Sequence, residues 1–72
     1  MQRVRIDNSS YITEAAYDSI AEVLEVHFTD GVTLWYFGVP AKVAAALFDP
    51  PSGTPGEYFH AHIRGVYEFA RF

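Results

Sequence analysis

Apolar and polar positions alternate most clearly over Ala21–Phe28, where Leu24, Val26 and Phe28 interleave with Val23, Glu25 and His27. Such alternation predicts a half-buried strand. Val32–Pro40, reading Val-Thr-Leu-Trp-Tyr-Phe-Gly-Val-Pro, is the most apolar strand pattern in the chain. Its β-branched and aromatic side chains suit a pleated surface, and Gly38 and Pro40 close it. Between the two strands, Thr29-Asp30-Gly31 predicts a hairpin, because Asp and Gly accept a positive φ at little cost.

The length of that tip decides which face is core. A two-residue Asp-Gly turn would put Leu24, Val26 and Phe28 on the face of Trp35 and Phe37. A three-residue tip, with Gly31 left-handed, puts them with Val32, Leu34 and Tyr36 instead. The three-residue form is preferred, because it gathers six large apolar residues on one face. Glu25, His27, Thr33, Trp35 and Phe37 then share the other face. The two aromatics there either lie beneath another segment or form an open platform.

Upstream, Tyr11–Tyr17 reads as a third strand, although Glu14, Ala15 and Ala16 weaken the pattern. Arg3-Val4-Arg5-Ile6 reads as a short edge strand or an extended arm, with Val4 and Ile6 inward and Arg3 and Arg5 outward. Downstream, Pro40–Phe48 predicts a helix: Val43 and Leu47 share a face, and the alanines between them favour helix. Asp49-Pro50-Pro51 ends it, because the residue before a proline is pushed out of the helical region. After the turn-rich loop 49–56, Thr54, Pro55 and Glu57 have the spacing of a capping box with proline in the first turn. A second helix follows from Pro55 to about Val66. Phe59, Ile63 and Val66 make its buried stripe, and His60, Arg64 and Tyr67 the stripe beside it. The tail Tyr67–Phe72 carries three aromatics and is expected to pack on the sheet or on a second copy of the chain. The expected fold class is α+β, ordered β-β-β-α-α. It is a three-stranded antiparallel meander, four-stranded if Arg3–Ile6 pairs, with two helices on one face.

Composition narrows the function classes. Seventy-two residues make one domain, expected over 1–72, and a chain this short buries only about 60% of its unfolded surface. Half of the residues are hydrophobic, which excludes a disordered chain. The absence of Cys excludes disulfides, thiolate metal sites and cysteine nucleophiles. The longest apolar run, Val43–Phe48, is far too short to cross a bilayer, so no membrane role is expected. Met-Gln-Arg-Val-Arg lacks the apolar segment of a signal peptide, so a cytoplasmic location is the default. A net charge of −4 argues against strong non-specific binding to nucleic acid.

Candidate chemistry is sparse. Trp35 and Phe37, with His27 near, would stack bases if exposed; otherwise they are core rings or lie under the tail. Arg64 with Tyr67 would meet phosphate, extended by Arg3 and Arg5. The plainer readings are a structural pair between Arg64 and Asp18 or Glu57, and two solvated edge arginines. His60 and His62 are two apart on a helix and diverge, so no metal site is expected. Ser9 and Ser10 lack a base and orienting partner and read as turn residues. There is no phosphate-cradling glycine loop and no acid–base pair of carboxylates. No catalytic residue, enzyme activity, cofactor or small-molecule substrate is expected.

The order and spacing of several short motifs resemble the KTSC domain, named for its occurrence at the C-terminus of some lysine-tRNA synthetases. They are Ser9-Ser10-x-Ile12 with Tyr17-Asp18, then Leu24-x-Val26-x-Phe28 with Gly31. After these come Tyr36 with Val39-Pro40, Gly56-x-Tyr58-Phe59, Ile63-Arg64 and Tyr67. The resemblance covers nearly the whole chain. Two positions depart from it: the family's central Tyr-x-Tyr falls on Leu34-Trp35-Tyr36, and its Asn after Tyr-Phe is His60. The resemblance implies a small, mostly bacterial α+β module, alone or appended to a larger protein, with no established activity and a suggested role in binding RNA. Two functions follow as expectations. One is an accessory module for tRNA or single-stranded RNA, using the aromatic face and the arginines. The other is a module that binds itself or another protein, suited to the acidic charge and the aromatic tail.

Overall fold

The hairpin tip is three residues long. In the computed structural model, which describes Met1–Phe72, Phe28 N donates to Val32 O at 2.9 Å and Gly31 N to Phe28 O at 3.1 Å. Gly31 sits at φ +89°, a conformation that a Cβ would strain. The strands it joins are β3 (Val23–Phe28) and β4 (Thr33–Phe37). Their register pairs Leu24 with Tyr36, Val26 with Leu34, Glu25 with Trp35 and His27 with Thr33. The apolar set therefore lies together, and Trp35 lies on the opposite face from Leu24 and Val26.

The third strand, β2 (Ile12–Asp18), pairs with β3 and contains an irregularity between Ile12 and Glu14. The extra residue, Thr13, lets Ile12 and Ala15 both reach the core although they are three apart. This break in the period of two is why the segment looks weak as a strand in sequence. An edge strand, β1 (Arg3–Arg5), pairs with β2. Ile6 just beyond it is buried, but Val4 stays 47% exposed, since no helix reaches the sheet edge above it.

Two helices cover the inner face. α1 (Ala41–Phe48) starts at Pro40, whose carbonyl accepts from Val43 N and Ala44 N. α2 (Pro55–His62) opens with the anticipated capping box: Thr54 Oγ1 accepts from Glu57 N at 3.2 Å, and Glu57 Oε1 accepts from Thr54 N at 2.9 Å. Ser9 Oγ accepts from the Tyr11 and Ile12 amides and lies so close to Gly56 that a Cβ there would sit 3.3 Å from it. Leu47, Phe59 and Ile63 pack with Leu24, Val26 and Tyr36 in one cluster.

The chain departs from the anticipated pattern after α2. The helix stops at His62 rather than near Val66, and Gly65 at φ +77° reverses the chain. Val66 consequently leaves the helical stripe and is 60% exposed, while Phe59 and Ile63 stay buried. The tail then forms a fifth strand, β5 (Phe69–Arg71), antiparallel to β4. The sheet therefore has five strands in the order β1-β2-β3-β4-β5, not three or four. No helix is long and apolar enough to cross a membrane.

Candidate functional site

The sheet divides the residues that the sequence singles out. Arg3, Arg5, His27, Trp35 and Phe37 fall on the helix-free face, by the strand register. Arg64 and Tyr67 follow α2 on the other side. On the helix-free face, β2 and β3 stand between the arginines and Trp35, a span of roughly 14 Å. Glu14 and Glu25 occupy that span. A phosphate near Trp35 would meet these carboxylates first, and at this distance screening leaves little of the arginines' attraction. Arg3 lies 3.9 Å from Glu14, and Arg5 2.9 Å from Asp7, in exposed pairs that contribute little to stability.

Nor is Trp35 an open platform. The tail brings Phe72 against it with ring centroids 4.9 Å apart, leaving the indole half-buried and Phe37 as the freer ring. His27 is committed to its neighbours: Nδ1 is 3.1 Å from Thr33 Oγ1, and Nε2 is 3.3 Å from Glu25 Oε1 without good hydrogen-bond geometry. Thr33, His27 and Glu25 thus form a row of hydroxyl, imidazole and carboxylate, but no cavity borders them to hold a substrate. His60 and His62 diverge, the first stacking on Tyr11 and the second lying tilted against Tyr58.

A different site lies on the helix side, where α2 ends short of the sheet edge. The β4–β5 register sets Phe69 beside Tyr36 and Arg71 beside Leu34, so Phe69 and Arg71 face inward where no helix covers them. The result is a groove of about 250 Å³ walled by Phe28, Leu34, Tyr36, Phe59 and Phe69, with Tyr11 at its border. Its two charged residues are Arg64 and Arg71. Arg64 does not pair with Asp18 or Glu57. Asp18 caps the turn amides of Ile20 and Ala21, and Glu57 is occupied by the capping box. The Arg64 guanidinium lies 3.4 Å from His60 Nδ1, exposed at the groove.

Tyr36 is the polar group in the wall. The residue is 2% exposed, and its hydroxyl has no hydrogen-bond partner within the protein but keeps solvent contact at the groove. Burial raises its pKa above the ordinary phenol value, and the positive charge of Arg64 partly offsets that rise. Tyr17 behaves differently: its hydroxyl donates to the Val39 carbonyl, and burial likewise pushes its pKa up, helped by Glu22 and Asp18. Sequence reasoning reached Tyr36 and Arg64 separately and counted Arg71 only among five residues available for a basic patch. It missed Phe69, and both Phe69 and Arg71 become site residues only through the tail strand.

The family model of the KTSC domain matches residues 8–67. The chain belongs to the KTSC domain family. This KTSC domain is 37% identical over 60 residues to a lysine–tRNA ligase of Trichormus variabilis, a match that takes in 83% of the chain and 10% of the ligase. The chain thus spans about a tenth of that relative's length. Its fold is similar to the crystal structure of a KTSC domain protein from Yersinia pestis, with a TM-score of 0.86 and 28% identity over 99% of this chain and 96% of the other. In this KTSC domain Leu34 and Tyr36 line the groove, and the intervening Trp35 faces away.

Proposed function

We propose that this KTSC domain is an RNA-binding accessory module that engages single-stranded RNA or an unpaired part of tRNA at the groove, not at the Trp35 face. The observation that carries the reading is an aromatic-walled groove whose charged residues are both arginines. Aromatic faces stack on bases, and guanidinium forks match phosphate oxygens. The similarity to part of a lysine–tRNA ligase supports the same ligand class. With a net charge of −4, affinity rests on few phosphates. If both arginines meet phosphate, log K should fall with log salt at a slope of about −1.4 for single strands. Titrating isotope-labelled protein with tRNA and single-stranded RNA at low salt tests the reading. Shifts at Tyr36, Arg64, Phe69 and Arg71 are expected, and a spectrum unmoved by either RNA ends it.

A second reading, self-association or binding to another protein, is favoured by one feature. Phe72 is 67% exposed beside an unpaired β5 edge, and such edges invite strand pairing. Sedimentation decides it for self-association: a strict monomer at high micromolar concentration refutes the dimer.

A further inference from the structure

We infer, resting on the RNA reading for the ligand class, that the groove accepts a single nucleoside monophosphate unit. Tyr36 hydrogen-bonds the base edge, and Arg64 and Arg71 hold the phosphate. The site is thus a receptor for one extruded or terminal nucleotide rather than a track for a strand.

Tyr36 is the first ground. A phenol can both donate and accept, and buried polar groups are normally paired. Here a residue only 2% exposed carries a hydroxyl that has no partner in the protein and opens to solvent at the wall of a groove. A ligand bearing a donor or acceptor beside an aromatic ring satisfies it. Size is the second ground. The groove measures about 250 Å³, below the range of about 300–1,000 Å³ usual for drug-sized ligands, so it holds one heterocycle and not a stacked pair.

Ring geometry is the third. Phe69, 59% exposed at the mouth, is tilted 40° from Tyr36 with centroids 5.7 Å apart. This leaves a free ring face at the entrance, and nucleobases are stacking partners for such faces. Charge is the fourth. Two arginines and no carboxylate line the groove of a chain with net charge −4, so the positive field is local. A peptide ending in an aromatic residue would also bring a ring and an anion. Its carboxylate, however, has fewer acceptor oxygens than a phosphate to divide between two guanidinium forks, and its phenyl ring leaves Tyr36 unpaired.

The test uses the full labelled chain, titrated with AMP and UMP, and in parallel with adenosine, inorganic phosphate and N-acetylphenylalanine. The monophosphates should shift Tyr36, Arg64, Phe69 and Arg71 together and bind at least about tenfold more tightly than adenosine or phosphate alone. Arg64→Gln should weaken AMP by about tenfold. Tyr36→Phe should keep the fold and reduce the difference in affinity between AMP and UMP. Groove resonances unmoved by both monophosphates overturn the inference, and so does tighter binding of N-acetylphenylalanine. Equal AMP and UMP affinities in Tyr36→Phe and the unaltered protein overturn the role of Tyr36. RNA shifts at the groove without mononucleotide shifts leave the RNA reading standing and sink this inference, whereas RNA shifts confined to Trp35 and Phe37 sink both. Mononucleotide binding with no RNA binding sinks the RNA reading and leaves the site.

Discussion

Tyr36→Phe separates a structural tyrosine from one held ready for a ligand. The substitution removes one oxygen and leaves the ring packed against Phe59 and Phe69. A buried tyrosine that hydrogen-bonds within its own protein typically loses about 0.5–1.5 kcal/mol when that bond goes. Tyr36 has no such bond to lose, and its hydroxyl keeps the residue's small remaining solvent contact, at the groove. Removing a hydroxyl with no protein partner and with water within reach should leave stability unchanged to within about 0.5 kcal/mol. Tyr17→Phe is the matched control. Its hydroxyl donates to the carbonyl of Val39, a residue with no exposed surface, so the loss orphans a buried acceptor at a cost of about 1–3 kcal/mol. For a domain of 72 residues each kcal/mol moves Tm by about 4–8 °C, so Tyr17→Phe should melt at least about 4 °C below the unaltered protein. Urea unfolding with equal m-values gives the same comparison as free energy. If Tyr36→Phe is destabilised as much as Tyr17→Phe, the hydroxyl has a partner in the folded protein, and the groove loses its proposed hydrogen bond to the base edge.

The same phenols set an alkaline limit. Both pKa values are raised in the folded state, so as pH rises through the ordinary value of 10.0 the unfolded chain loses protons first. Stability from this source is fully present below that pH and lost above it, and Tyr36→Phe should blunt the loss between pH 9 and pH 11, read by urea midpoints (an interval of about one unit on either side of the phenol value). Thr54→Ala removes the capping box and should cost about 1 kcal/mol, seen as a lower Tm with groove binding retained. Phe72→Ala uncovers the indole, so the Trp35 emission maximum should move to longer wavelength; an unchanged maximum would mean that the tail does not shield it.

Family-scale features were legible in the chain because their causes are local. Gly31 with Asp30 dictates the hairpin tip, and the tip dictates the register that puts Trp35 across the sheet from Leu24 and Val26. Thr54, Pro55 and Glu57 mark the start of α2, and Asp49-Pro50 marks the end of α1. Each of these signals acts through backbone conformation within a few residues, so sequence spacing carries it. The bulge at Thr13 was hidden because it breaks the very alternation by which a strand is recognised.

The site itself belongs to the tertiary structure. Tyr11, Tyr36, Phe59 and Phe69 come from four separate parts of the chain, and the groove exists only because β5 returns to pair with β4. Nothing local in Tyr67–Phe72 chooses between pairing with its own sheet and pairing with a copy. That choice depends on the Gly65 reversal and on an open β4 edge more than thirty residues away. Arg64 and Arg71 likewise become neighbours of one groove through long-range pairing, which no periodicity along the chain records. Local chemistry determined the elements and the faces of the central sheet, while the closing strand decided which face carries the binding surface.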